Sequence, residues 1–596
     1  MMKKFLTVVL GSFVGAWLAM MFMTVVSVIL SIALVAGFAK ASSTISTMQD
    51  KSILMIDLSE SLSEQVVEAD MFTKTLNMGS EGNSLHALLA AIDAAKTNDK
   101  IKGIYLKCEG GSNGYATSYE LRKALVDFKT SGKPIYAYGY QAITQGDYYL
   151  ASVADSIFLN PVGTVDLHGL SSTNMMYKNT LDKIGVEMQV VRVGTYKSAV
   201  EPYILTEISE ANRQQQEHYM NSVWGTIVSG IAESRGISAD TINALVDRIC
   251  ALRPAEFMLE QKLVDGICYK SELKAKLKKM AGLDKDDDLR LVSPSEIPVT
   301  PKKGDSSKAI AVLYAEGEID PSTSMLGGDE SGIFSDDVCE QIEELTENDD
   351  VKALVLRVNS PGGSAFGSEQ LWKSLQEFKA AGKMLVVSMG DLAASGGYYI
   401  SCGADHIFAE PVTITGSIGI FGLIPNFKGL AQDKVGLSFS PVMTNKNGNF
   451  GNLFEPFTEE QRAVMQEYVN SGYELFTKRC ADGRKVSQDS IKQIAEGRVW
   501  EGKTAIQLGL VDEMGSLKDA IKYTADKLGC ADDYVILEPA APKSSMMKMI
   551  EKYMQVKYRN KMRGEMGFFY DAYEQVQRML NRDKVLCIDE SVDVKL

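Results

Sequence analysis

Two stretches of this chain repeat one another at a fixed distance. GKPIYAYGYQAITQGDYYLASVADSIFLNP, beginning at Gly132, matches GKMLVVSMGDLAASGGYYISCGADHIFAEP, beginning at Gly382. The offset of 250 holds for Gly146 with Gly396, Tyr148 with Tyr398, Tyr149 with Tyr399, Asp155 with Asp405 and Pro161 with Pro411. It extends backward to NDKIKGIYLK at Asn98 against NDDVKALVLR at Asn348. A further match lies near the ends of both halves, KLVDG at Lys262 against GLVDE at Gly509. Self-similarity of this kind means one unit folded twice. The length agrees, since 596 residues exceed the roughly 250–300 that a single core supports.

The duplication sets the domain plan. The two copies span 45–282 and 308–540, joined by a polar linker, 283–307, that contains DKDDD and PKKGDSS. Short apolar runs such as Ala353–Val358, Met384–Met389 and His406–Ala409 alternate with helical patterns at Asp336–Leu345 and Ser368–Lys379, which predicts α/β domains. Ahead of the copies, residues 1–44 hold Lys3 and Lys4 and then an uncharged apolar stretch from Phe5 to Ala39. At about 35 residues it exceeds a secretory signal's core and suffices to cross a bilayer once. The positive-inside rule keeps the lysines cytoplasmic and exports the chain from Lys40 onward. Residues 541–596 contain, from Ser544, SSMMKMIEKYMQVKYRNKMRGEM, a basic amphipathic pattern. Such a helix lies on an anionic membrane or packs on protein, and packing is the plainer reading.

Composition narrows the chemistry. A net charge of -15, with no basic stretch in either copy, excludes nucleic acid as a general partner. The eight cysteines are scattered without CxxC or His/Cys clustering, so neither a metal nor a cofactor is expected.

Two motifs in the second copy carry chemistry. Asn359-Ser360-Pro361-Gly362-Gly363 follows the strand ALVLRV, and its glycines let backbone N–H groups face a cavity. That suits an oxyanion hole, although such a turn also occurs with no ligand. Asp391 to Tyr399 sets Ser395 among alanines and glycines just before a helical pattern, where a substrate carbonyl can approach; helix caps are often serines too. Comparison with the first copy separates these readings. There the position of Ser395 is Gln145, and Glu109-Gly110-Gly111 replaces the PGG turn, so only the second copy can supply a nucleophile.

A serine needs a base, and the four histidines, His86, His168, His218 and His406, sit in no motif; His406 reads as structural. Lysine serves when burial lowers its pKa toward neutrality. Lys197 in GTYKSAVEP has small and apolar neighbours after the run MQVVRV. Its counterpart in the second copy, Lys446 in TNKNGN, lies among polar residues, which makes Lys197 the better candidate.

Taken together, NSPGG, DLAASGGYYIS, TGSIGI at Thr415 and GTYKSAVEPY resemble the long, duplicated form of bacterial signal peptide peptidase A, from the N-terminal anchor to about Leu537. The resemblance implies the fold shared by Clp proteases and crotonases, a spiral of β-β-α units. It implies Ser395 as nucleophile, Lys197 as general base, Ser417 as a hydroxyl that orients the lysine, and the N–H groups of Gly362 or Gly363 and of Gly396 as oxyanion donors. It further implies a bowl-shaped homotetramer in the bacterial inner membrane with its catalytic domains on the periplasmic side, acting on signal peptides and other apolar peptides. Two rival readings remain: a crotonase-type thioester enzyme, and a membrane scaffold in which Ser395 and Lys197 never meet. Two geometric expectations separate them from the peptidase. The Lys197 amine should reach the Ser395 hydroxyl, and it should be buried with no carboxylate, such as that of Glu201, against it.

Overall fold

The computed structural model describes residues 48–65, 83–111, 113–299, 304–321, 332–531 and 533–539. The expected membrane span and the basic tail lie outside the described residues, among which no helix is long and apolar enough to cross a membrane.

The first copy is built on strands β1 (Ser52–Asp57), β2 (Ile101–Cys108), β3 (Ile135–Gly139) and β4 (Ser156–Leu159), with β5 (Glu187–Val193) apart from them and β6 (Gly266–Ile267) and β7 (Leu291–Val292) at the edges. The sheet runs β6-β4-β3-β2-β1-β7, every neighbour parallel. Its strands are continuous apolar runs because helices cover both faces. Ile53, Leu54, Ile101, Ile104 and Leu106 are wholly buried. Helices α1 (Tyr115–Lys129), α2 (Gln145–Ala151) and α3 (Glu210–Arg235) are the ones that bear on the site.

The second copy repeats the plan with β8 (Ala309–Glu316), β9 (Val351–Ser360), β10 (Met384–Ala394), β11 (His406–Ala409), β12 (Ile414–Gly416), β13 (Ile420–Asn426), β14 (Val499–Glu501), β15 (Glu513–Met514) and β16 (Val535–Leu537). Strands β14-β12-β10-β9-β8-β16 follow one another, and β11 bridges β10 and β15. Alternation along β9 sends Leu354, Leu356 and Val358 into one core and Val355 into another with Ile310, Val312 and Val386. Helices α4 (Ala365–Ala380), α5 (Gly396–Ser401), α6 (Glu459–Arg484) and α7 (Leu517–Lys527) complete it.

The long strand β10 organises the site. Its first half pairs with β11, Val386–Ser388 against His406–Phe408, and its last three residues pair with β12, Leu392–Ala394 against Ile414–Gly416. The register against β9 shifts between Val358 and Ser360, so the chain emerges displaced just before Ser395. In the first copy Ala142–Thr144 pairs with Thr164–Asp166, the same ladder 250 residues earlier.

One expectation needs correction. Residues 283–307, expected as a linker, carry β7, which pairs with β1 as the outer strand of the first sheet. Two residues are too few to show a strand period in a polar sequence. The copies are then joined by an antiparallel pairing of β5 with β13, from Val193 opposite Ile420 to Glu187 opposite Asn426.

A polar seam accompanies that pairing. Arg357 of β9, wholly buried, donates from Nε to Glu64 at 2.9 Å and from Nη2 to Glu120 of α1 at 2.7 Å. Gly114, the N-cap of α1, has no side chain to offer its first turn. Asp391 of β10 reaches across instead and accepts from Ala116 N, Thr117 N and Thr117 Oγ1 at 2.7, 3.0 and 2.6 Å. A Cβ at Gly114 would lie 2.1 Å from the Asp391 carboxyl carbon, which requires glycine there.

Candidate active site

Ser395 stands at the junction of β10 and α5 with φ 54° and ψ -116°. A positive φ is costly for a residue with a Cβ, and such strain persists only where the surroundings impose it. Here Ser395 N–H donates to Gly416 O at 2.9 Å, while Ser395 O accepts from Tyr399 N at 2.9 Å as α5 begins. The backbone is thus held on both sides and the hydroxyl is presented at the sharp corner between strand and helix.

Lys197 comes from the first copy, in the loop after β5. The β5–β13 pairing carries that loop to the end of β12, and the lysine amine lies 3.0 Å from Ser395 Oγ. The amine also donates to Ser417 O and Ser417 Oγ, each at 3.0 Å. Lys197 is 4% exposed. Burial lowers its pKa from the ordinary lysine value to about 8. Among the described residues no carboxylate touches it. Glu201, equally buried, accepts from Ser209 N, Ser209 Oγ and Asn212 Nδ2.

The glycine turn lies against the serine. Gly362, at φ 103°, packs so closely that a Cβ would fall 2.6 Å from Gly396 N and 2.8 Å from Ser395 Cβ. Its N–H donates to Ser360 Oγ at 3.1 Å, so as an oxyanion donor it is already engaged. That narrows the expected donors to Gly363 and Gly396.

The structure therefore brings together Ser395, Lys197, Ser417, Gly362 and Gly396, with Gly363 next along the turn and set against Ile319. It leaves Lys446 outside, exposed and ion-paired with Glu460. The histidines are engaged elsewhere: His406 lies 3.2 Å from Glu513 and stacks on Tyr523, and His218 lies 3.3 Å from Glu501.

In the first copy the matching place is filled. The Gln145 amide donates to Gly169 O at 3.1 Å, and its oxygen accepts from His168 N and Gly169 N. The Asp147 carboxylate accepts from Gly110 N and Gly111 N, so this copy's glycine turn is closed by its own side chain.

Sequence reasoning missed Ser360, which engages the turn, and the segment 496–498, which packs against Lys197 and Ser417. The repeat offset has drifted from 250 to 247 by Gly509, so the comparison of copies loses register before reaching them.

Known proteins share the same outline. A model of peptidase family S49 matches twice, at residues 127–284 and 377–530. Protease 4 of Salmonella typhi is 37% identical over 456 residues, covering 74% of this chain and 72% of that protein. Protease 4 of Haemophilus influenzae is 36% identical over 443 residues, covering 72% and 71%. The chloroplastic serine protease SPPA of Arabidopsis thaliana is 29% identical over 452 residues, covering 75% and 66%. One family match on each copy, together with these relatives, establishes that the chain belongs to peptidase family S49, as a serine peptidase with a duplicated domain.

Proposed function

We propose that this serine peptidase is a membrane-anchored endopeptidase that cleaves signal peptides and other apolar peptides through a Ser395–Lys197 dyad. The observation that carries the reading is the setting of the Lys197 amine. A neutral amine has two N–H donors and one lone pair; two donors meet Ser417 O and Ser417 Oγ, and the lone pair is left for the Ser395 O–H 3.0 Å away. Lys197 takes the Ser395 proton and the alkoxide attacks the peptide carbonyl. The N–H groups of Gly363 and Gly396 receive the oxyanion, such donors contributing roughly 3–4 kcal/mol each. The proton passes to the leaving amine, and water, activated by the same lysine, resolves the acyl-enzyme. Every proton transfer in this scheme is assigned to a side chain of the protein. A thioester enzyme of the crotonase type, although its fold would be alike, has no use for a buried lysine at the serine.

The apolar stretch from Phe5 to Ala39 supports the anchor, a single pass through the bacterial inner membrane with the catalytic copies on the periplasmic side. A tether of this kind favours apolar substrates already in the bilayer. Segments left without a strand partner favour a ring of copies, which the proposed homotetramer would be. The β5–β13 pairing uses one strand from each copy, while their counterparts, residues 170–176 and the stretch between Gly436 and Lys446, form no strand and expose Met175, Val442 and Met443. A head-to-tail neighbour would pair them and repeat the junction around a ring.

The test is hydrolysis of a fluorogenic apolar peptide by the full chain in detergent. Ser395→Ala and Lys197→Ala are expected to lose at least about 10³-fold in kcat, and Lys446→Ala to retain wild-type activity. Full activity in Lys197→Ala would refute the dyad.

A further inference from the structure

The turn at residues 496–498 makes more contacts with the active-site backbone than a passing loop needs. Toward the first copy, Glu496 O accepts from Tyr196 N at 2.8 Å, and the Glu496 carboxylate accepts from Thr195 N and Thr195 Oγ1, both at 3.0 Å. Toward the second copy, Arg498 O accepts from Ser417 N at 2.7 Å, Gly497 N donates to Ile418 O at 2.8 Å, and Gly497 O accepts from Ser417 Oγ at 3.4 Å. Three consecutive residues therefore bond the backbone just before Lys197 and the backbone of the serine that meets its amine.

The fit is close and strained. Glu496 has φ 55° and Gly497 φ 75°. A Cβ at Gly497 would lie 2.6 Å from Lys197 Cβ and 2.7 Å from Lys197 N, and one at Gly194 would lie 2.6 Å from the Glu496 carbonyl carbon. The Arg498 guanidinium lies over the rings of both Tyr196, at 4.9 Å, and Trp500, at 4.1 Å. Gln215 of α3, 3% exposed, closes the far side. Its amide donates to Tyr196 O and Ser198 Oγ at 3.1 Å, and its oxygen accepts from Val499 N at 3.3 Å.

We infer that Glu496 and Gly497 are positioning residues of the dyad: they dock the loop of the first copy that carries Lys197 onto the Ser417 backbone of the second, and so keep the amine buried and aimed at Ser395. This rests on the proposed dyad. Neither residue touches the reacting atoms; both act through Thr195, Tyr196 and Lys197.

The experiment compares full-length wild type, Ser395→Ala, Glu496→Ala, Glu496→Gln and Gly497→Ala on the fluorogenic peptide, with kcat, KM and kcat/KM followed from pH 6 to 10 and melting temperatures recorded alongside. An active wild type, with Ser395→Ala and Lys197→Ala both inert when measured alongside, establishes the underlying reading; an active Ser395→Ala or Lys197→Ala refutes the dyad itself. Glu496→Ala is then expected to lower kcat by at least about tenfold with KM within about twofold. Its rising pH limb should move upward from about 8, because a loosened Lys197 is better solvated. Glu496→Gln, which keeps an acceptor for Thr195, should recover most of the rate. Gly497→Ala should lose more than Glu496→Ala. The inference is overturned if folded Glu496→Ala and Gly497→Ala keep the wild-type rate and pH limb, or if their loss leaves the limb unmoved and Glu496→Gln rescues nothing. Where Glu496→Ala does not fold, Thr195→Val decides by the same limb: an upward shift supports the docking role and an unmoved limb overturns it.

Discussion

Burying the Lys197 amine costs the fold stability. Its folded pKa, about 8, lies below its unfolded value of 10.5, so the unfolded chain holds more protons between those values. Below about pH 8 both states are protonated and the full penalty applies; above about pH 10.5 both are neutral and it vanishes. A shift of this size corresponds to about 3 kcal/mol. Lys197→Met, which keeps the volume and removes the charge, is therefore expected to be inactive and yet more stable than wild type at pH 7, by up to that amount. Its advantage should shrink as pH rises from 8 to 10.5, read as denaturant midpoints across that range. Ser395 and Lys197 were legible in the sequence because the duplication supplies its own control: a serine with no counterpart in the first copy, and a lysine whose counterpart has polar neighbours. Ser360 was not, since nothing in a turn sequence says which hydroxyl accepts which N–H.

At the scale of elements, α1 and β10 form a unit that spans the two copies. Helix α1 begins on a glycine, and its cap is Asp391, 275 residues from Ala116 in the sequence. Asp391→Ala should destabilise the full chain by about 1 kcal/mol, as loss of a helix cap does. Asp391→Asn, which keeps one acceptor, should cost less, and urea midpoints distinguish the two. The strands and the α/β class were readable from apolar runs between Gly, Pro and Asp, and the ladder at Leu392–Ala394 appears in both copies. The contacts of Asp391 with α1 and of Glu496 with Thr195 were not readable. A repeat reports what each copy is and is silent on how unlike faces of the two copies meet.

In the molecule as a whole, the seam between copies is fastened by buried charge. Arg357 has no exposure, and its partners Glu64 and Glu120 are 4% and 3% exposed. Removing the guanidinium leaves two carboxylates without their counter-charge, so Arg357→Met should cost about 3–5 kcal/mol. Replacing all three residues with apolar ones of similar size should recover much of that loss, as seen in thermal unfolding of the full chain. The placement of the proposed dyad on this seam also has a consequence in time. Lys197 and Ser395 are 198 residues apart in sequence and on different copies. A ribosome emits the lysine first, in the copy whose own glycine turn is closed by Asp147, and the serine only with the second copy. On the proposed dyad, the growing chain is an unarmed protease until the second copy docks on the first.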